Sequence, residues 1–263
     1  MKRVYIGLLT TGMVLLVLSL IAFFIFYQRF NMIFHDCRPH NIVPGMSGNF
    51  PKRIYQTWKT HEVPEMNRNW VKSVRTIYSD YEYHLWDDAE IDQFARSNFP
   101  DFVEVWDKLT PFIKKVDTIR YMWMYKLGGM YFDLDVQINK RLEDQMFEKY
   151  PNAAFVPISS YPIRWKYDKD RASPAIIASY PGHPFWLAML DYIRVNYHRD
   201  VLYATGPIAV SNVIRDRNWS NMVFLSEPRL GLTLKVYPKY SYHVNTTTWR
   251  QEKSQGRKFL INS

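Results

Sequence analysis

The chain has 263 residues, of which 47% are hydrophobic and 17% aromatic, so it can build one domain with a substantial core and is no disordered tail. Its one cysteine, Cys37, excludes an intrachain disulfide; the thiol is either unpaired or joins two chains, which leaves a homodimer open. The formal net charge of +9 is scattered without a dense Lys/Arg tract, which argues against a nucleic-acid partner and fits attraction to anionic head groups or phosphates.

After a short basic tail at 1–3, Val4 to Tyr27 carries no charged residue. At ~1.5 Å rise per residue this run reaches about 36 Å, long enough to cross a ~30 Å hydrocarbon core. It exceeds a usual signal-peptide core and no small-x-small cleavage site follows it, so residues 4–27 are expected to form an uncleaved transmembrane anchor. Lys2 and Arg3 favour a cytoplasmic amino terminus and a luminal body. Residues 28–50, with Pro39, Pro44, Gly45 and Gly48, read as a stem, and 51–263 as the folded domain.

Lys52 to Trp58 is a β-prone run and the expected first strand. Trp70, Val71, Val74 and Ile77 have helical spacing, and Tyr81 to Trp86 reads as a second strand. That order, strand–helix–strand, predicts a mostly parallel α/β sheet. Ala89 to Leu109 reads as two short helices parted near Pro100, and Phe112 to Leu127 as a longer one that places Asp117 and Arg120 on one edge. Gly128 and Gly129 suit a helix stop. Ala153 to Ile158 is a further strand, Pro184 to Tyr197 a further helix, and Thr205-Gly-Pro207 precedes a short helix through Ile214.

Behind the glycines stands Met130-Tyr-Phe-Asp-Leu-Asp135. The two carboxylates sit at the end of this short strand, where it opens onto a loop, and a strand's period of two would send Asp133 and Asp135 to one face. Two hard carboxylates there suit Mg²⁺ or Mn²⁺ bridging to a diphosphate, with a strand-end salt bridge as the alternative. Asp168-Lys-Asp170 has the same spacing but sits among Arg164, Lys166, Lys169 and Arg171 with no strand, and reads as a solvated loop.

The segments PKRIYQTWKT at 51–60, YEYHLWDD at 81–88, VDTIRYMWMYKLGGMYFDLDV at 116–136, PGHPFW at 181–186 and ATGP at 204–207, followed by His243 and Trp249, fall in an order that resembles glycosyltransferase family 32. These DXD-containing sugar transferases include fungal initiating α-1,6-mannosyltransferases and inositol-phosphoceramide mannosyltransferases. The resemblance implies a GT-A fold, a nucleotide-sugar donor, a divalent metal and retention of anomeric configuration. It implies that Asp133 and Asp135 bind metal and donor, that Asp117 and Arg120 contact sugar hydroxyls, and that Trp58 stacks on the nucleobase. His243 and Trp249 would come from a closing loop, the histidine as a metal ligand and the indole as a phosphate donor. Two positions depart from the pattern: Ser173 where an Asn is usual, and Thr248 where a Ser is usual.

The expectation is a Golgi type II enzyme, with the endoplasmic reticulum as the alternative site, that uses Mn²⁺ (or Mg²⁺) and GDP-mannose. Its acceptor would be a sphingolipid head group, inositol phosphoceramide, or a glycan. A UDP-sugar-dependent transferase and a non-catalytic accessory subunit stay open. Sequons at Asn218 and Asn245 fit a luminal body; a glycan on Asn245, two residues from His243, would crowd the site, so it is expected to be unmodified.

Overall fold

The computed structural model describes residues 49–142, 144–159, 171–216, 219–226 and 241–243, together with Ser19. The chain divides into Met1–Cys37 and Arg38–Ser263, and the fold below is that of the second unit. The expected anchor apart from Ser19, the expected stem apart from Asn49 and Phe50, Asp168 and Asp170, Asn218, Asn245 and Trp249 lie outside the described residues. Among those described, no helix is long and apolar enough to cross a membrane.

Strand β1 (Arg53–Thr57) is followed by a 3₁₀ turn (Glu65–Asn67), helix α1 (Arg68–Ile77) and strand β2 (Glu82–Trp86). Helix α2 (Asp88–Asn98), a 3₁₀ turn at Pro100–Phe102 and α3 (Val103–Lys108) lead into α4 (Ile113–Lys126) and strand β3 (Gly129–Phe132). Then come β4 (Val136–Ile138), α5 (Asp144–Lys149), β5 (Ala154–Ser159), β6 (Arg171–Ala172) and β7 (Ile176–Ser179). Helices α6 (Pro184–Asn196), α7 (Val201–Ala204) and α8 (Pro207–Asp216) precede β8 (Met222–Ser226) and β9 (Ser241–His243).

Seven strands form one sheet in the order β2-β1-β3-β7-β5-β6, with β8 pairing to β5, and β4 and β9 form a separate pair. β1 is parallel to β2 and β3, β7 is antiparallel to β3 and β5, β8 is parallel to β5, and β6 is antiparallel to β5. Five strands therefore share one direction and two oppose it, the mostly parallel α/β sheet expected.

The strand period of two sorts the core. Tyr55, Tyr131, Ile177, Ala154 and Val156 face one layer, built on α2, α4, α6 and α8 around Trp106, Trp123 and Trp186. Their neighbours Ile54, Met130, Phe132, Ile176, Ala178 and Phe155 face the other, with Val74 of α1 and Phe147 of α5. Burial on both faces explains why these strands read as short continuous apolar runs.

The α4–β3 junction shows why two glycines stand there. Gly128 (φ 64°) takes the left-handed conformation and donates to Trp123 O at 3.0 Å, closing the helix. A Cβ on Gly128 would sit 2.8 Å from Ser179 O, and one on Gly129 (φ 96°) would sit 2.7 Å from Arg53 O. Both positions need a residue without a side chain so that the helix can turn directly into a central strand.

The short strand ends before the two carboxylates, as expected: β3 stops at Phe132 and the chain turns, with Val136 N–H donating to Asp133 O at 3.0 Å. One part of that expectation is corrected, the strand period of two as the reason the carboxylates share a face. Asp133 N–H makes one last bond, to Ala175 O at 2.8 Å. It is a turn, and not strand periodicity, that presents the two carboxylates. Trp58 likewise lies just past β1, its N–H bonded to Trp86 O at 3.1 Å. The expected strand–helix order from 53 to 132 is otherwise present, whereas β4, β6, β7 and α5 had no counterpart in the sequence reading.

Candidate functional site

Because β1, β2 and β3 are parallel, the residues that leave them meet at one end of the sheet: Trp58, Asp87 and the turn Asp133–Val136. Open α/β sheets bind ligands outside such carboxyl ends. The glycine reversal sends α4 antiparallel to β3, so the amino-terminal half of the helix returns Asp117 and Arg120 to the same end.

There the four predicted residues of the central motif split into two tiers. Asp117 and Arg120 are buried, at 6% and 3% exposure, whereas Asp133 and Asp135 are half-buried at the rim. Arg120 links the tiers: Nη2 donates to Asp117 Oδ1 at 2.8 Å, and Nη1 lies 3.0 Å from Asp133 Oδ1 and donates to Pro174 O at 3.0 Å. Its guanidinium stacks 4.5 Å above the Tyr131 ring, and the Tyr131 hydroxyl donates to Asp133 Oδ1 at 2.8 Å. The other oxygen of Asp117 accepts from Thr205 Oγ1 at 2.8 Å, and Thr205 O accepts from Tyr121 Oη at 2.6 Å.

Electrostatics follow from this burial. Desolvation pushes the Asp117 carboxyl up to about 6, against Arg120 and Thr205, which pull it down. Burial works to lower the Arg120 pKa, but Asp133, Tyr131 and Asp117 outweigh it and hold it above its ordinary value. Burial raises the Tyr131 phenol well above its usual range, so it stays a neutral donor to Asp133.

Near the turn lies a cleft of about 650 Å³, lined by Trp58, Thr60, Glu62, Val63, Pro64, Glu65 and Arg68. Trp58, expected against a nucleobase, therefore borders an open space rather than filling the core. His243 lies on β9, and its backbone is in register with Val136, the residue after Asp135. Ser241–His243 thus runs alongside β4, with His243 at the end nearest the turn; the His243 side chain and Trp249 lie outside the described residues.

Two oxygen-donor side chains at a tight turn fit a hard divalent cation whose remaining ligands come from water and a phosphate. Among the described residues, one group of three such side chains is close enough to share a cation: His61, Asp87 and Glu90. Asp87 and Glu90 already close the amino end of α2, with reciprocal bonds of 2.9 Å to each other's backbone N–H groups.

Sequence reasoning missed Gln56, Asn67 and Thr205. Gln56 Nε2 donates to Asp133 O at 3.2 Å and accepts at Oε1 from Tyr83 Oη at 2.9 Å. Asn67 Nδ2 donates to Leu134 O at 3.3 Å. Thr205 belongs to the Ala-Thr-Gly-Pro segment that carries the family resemblance, which was its one available signal. His183, in the Pro-Gly-His-Pro segment, is a structural cap: Nδ1 accepts from Phe185 N–H at 3.2 Å, Nε2 lies 3.2 Å from Ser220 O, and burial lowers its pKa to about 4.

With this geometry in view, comparison with known proteins is direct. Residues 64–152 match the family described as glycosyltransferase sugar-binding region containing DXD motif, a span that holds α4, β3 and the turn. The resemblance to glycosyltransferase family 32 holds. The chain is 35% identical over 206 residues to inositol phosphoceramide mannosyltransferase 3 of Schizosaccharomyces pombe, covering 73% of this chain and 52% of that one. It is 31% identical over 202 residues to a mannosyl phosphorylinositol ceramide synthase of Saccharomyces cerevisiae, covering 73% and 48%. An initiation-specific alpha-1,6-mannosyltransferase of the same yeast is 30% identical over 101 residues, covering 35% and 21%. Among solved structures, the PaToxG glycosyltransferase aligns with a TM-score of 0.48 at 18% identity, covering 64% of this chain and 69% of that one. The chain spans about half the length of these mannosyl phosphorylinositol ceramide synthase and inositol phosphoceramide mannosyltransferase relatives.

Proposed function

We propose that this chain is a GT-A-type retaining glycosyltransferase that moves mannose from GDP-mannose to the head group of an inositol phosphoceramide. The observation that carries the reading is the turn Asp133–Val136 at the carboxyl end of β3, keyed through Arg120 to Asp117 and flanked by the Trp58 cleft. Trp58 stacks on the base, Asp117 and Arg120 reach sugar hydroxyls from the floor of the site, and Asp133 and Asp135 hold the cation. His243 and Trp249 complete the site from the carboxy-terminal segment. A divalent cation, Mn²⁺ or Mg²⁺, supplies charge neutralisation for the leaving diphosphate.

The transfer runs on one face of the sugar. The acceptor oxygen bonds to the anomeric carbon as the bond to the diphosphate breaks, and the acceptor's proton goes to a leaving phosphate oxygen. The chain's own residues orient donor and acceptor and stabilise developing charge by electrostatics. A trapped glycosyl adduct on an Asp or Glu would overturn this route in favour of double displacement. The names of the relatives at 35% and 31% identity support the mannose donor and the sphingolipid acceptor. The apolar run at 4–27 supports a single-span Golgi membrane protein with a luminal body.

The deciding experiment incubates the full-length protein in membranes with labelled GDP-mannose and a lipid extract. Label in an inositol-phosphate-containing sphingolipid is the expected result. Turnover of UDP-galactose or UDP-N-acetylglucosamine instead would move the reading to a UDP-sugar enzyme. A protein that binds no Mn²⁺–nucleotide and hydrolyses no donor would be an accessory subunit.

A further inference from the structure

Asn67 stands at the amino end of α1, where asparagine ordinarily caps a helix by accepting from its first N–H groups. It makes no such bond. At 5% exposure its side chain turns away from its own helix and donates to Leu134 O, the carbonyl between Asp133 and Asp135. A favourable local bond is thus given up for one 67 residues distant in sequence. Glu65, two residues before it, and Arg68, the residue after it, line the cleft.

The preceding carbonyl of the turn, Asp133 O, is held by Gln56, which is fully buried within β1 and fixed at its other end by Tyr83. Two successive carbonyls of the turn therefore rest on two carboxamides of unlike rigidity. Gln56 belongs to the sheet. Asn67 ends a three-residue 3₁₀ turn between cleft-lining residues, so a shift of the cleft wall carries its carboxamide toward or away from Leu134 O.

We propose that Asn67 couples the two parts of the donor site, so that a nucleobase in the cleft shortens the Asn67–Leu134 bond and raises the cation affinity of the Asp133–Asp135 turn. The coupling rests on the donor-site reading above and makes Asn67 a positioning residue. By linkage the same factor acts in reverse, the cation tightening the base.

The test uses nucleosides, which carry base and ribose but no phosphate that could touch the cation. Full-length protein is titrated with Mn²⁺ alone and with saturating guanosine or uridine, whichever it binds. Coupling of this kind predicts that the nucleoside lowers the Mn²⁺ dissociation constant by about fivefold or more. In Asn67→Ala and Asn67→Asp the ratio returns to one while Mn²⁺ still binds, whereas a purely structural role would lower the melting temperature and leave the ratio intact. An unchanged ratio in folded variants overturns the proposal. Should both variants fail to fold, hydrogen exchange in the wild type decides. Guanosine or uridine without cation slows exchange of the Leu134–Val136 amides if the coupling exists, and unaltered exchange with nucleoside bound overturns it. A wild type that takes up neither Mn²⁺ nor nucleoside overturns the donor-site reading itself, and the coupling with it.

Discussion

Around Arg120 the protein buries a guanidinium between two carboxylates, whereas around His183 it buries only neutral groups. In the first cluster Asp117, Arg120 and Asp133 form a charged chain that runs from the helix core to the rim of the site. In the second, His183 caps α6, and Trp186 Nε1 donates to Ser179 Oγ at 2.8 Å in a fully buried pair. Desolvated charge is a poor way to gain stability, since well-packed apolar groups often do as well. Neutral hydrogen bonds suffice where the task is to join α6 to β7. On the proposed reading Asp133 has to be held against a cation and a substrate, which gives a reason to place a charged cluster there.

The sharpest way to break the contrast is Arg120→Met, which keeps bulk and removes charge. It leaves Asp117 and Asp133 uncompensated and should cost about 3–5 kcal/mol of stability in urea unfolding, together with turnover. Ser179→Ala in the neutral cluster should cost only about 1–3 kcal/mol, with turnover per folded molecule unchanged. Equal losses in the two variants would mean that the charge carries no special burden.

Asp135→Ala comes next, and separates chemistry from folding. Asp135 is half-buried at the turn, and donor hydrolysis per folded molecule should fall roughly a hundredfold or more, beyond any change in melting temperature. Retained hydrolysis would remove Asp135 from the cation site. A smaller effect is expected from Thr205→Val, which takes one donor from the fully buried oxygen pair of Asp117 and should cost about 1–3 kcal/mol, whereas Thr205→Ser should restore most of it.

How far these clusters could be read from the chain depends on the range of the contacts. The α4–β3 unit was legible because its signals are local: helical spacing from 113 to 127, two glycines, then a β-prone run. Asp117 and Arg120 were adjacent for the same reason, three residues apart on a helix. The end of β3 was legible from the carboxylates that follow it, but the tight turn itself was not, because Met130 to Ile138 alternates as one long strand would. What breaks it is distant: Ala175 O takes the Asp133 N–H, and Gln56 and Asn67 hold the next two carbonyls. β7 failed for another reason. Its four residues are buried on both faces, and so short an apolar run between two prolines has no period to read. Thr205 meets Asp117 across 88 residues, and no local pattern announces that bond.

The contrast between the two clusters also has a pH signature, small in the wild type because its two parts oppose each other. His183 has a folded pKa of about 4 against an ordinary value of 6.5, so between these values the unfolded chain holds the extra proton. Its contribution is present above pH 6.5 and is lost as pH falls toward 4, by about 3 kcal/mol. Asp117 has a folded pKa of about 6 against 3.8, so over that window the folded state holds the extra proton. Acidification from 6 to 3.8 therefore stabilises through Asp117, by about 3 kcal/mol, nearly offsetting the histidine. Removing either group should expose the other. Asp117→Asn should lose stability steadily from pH 6.5 to 4, and His183→Asn, which keeps a capping side chain, should gain stability over the same range. Urea unfolding at half-unit pH steps measures both slopes. If both variants follow the wild-type curve, neither buried group is titrating where its surroundings require.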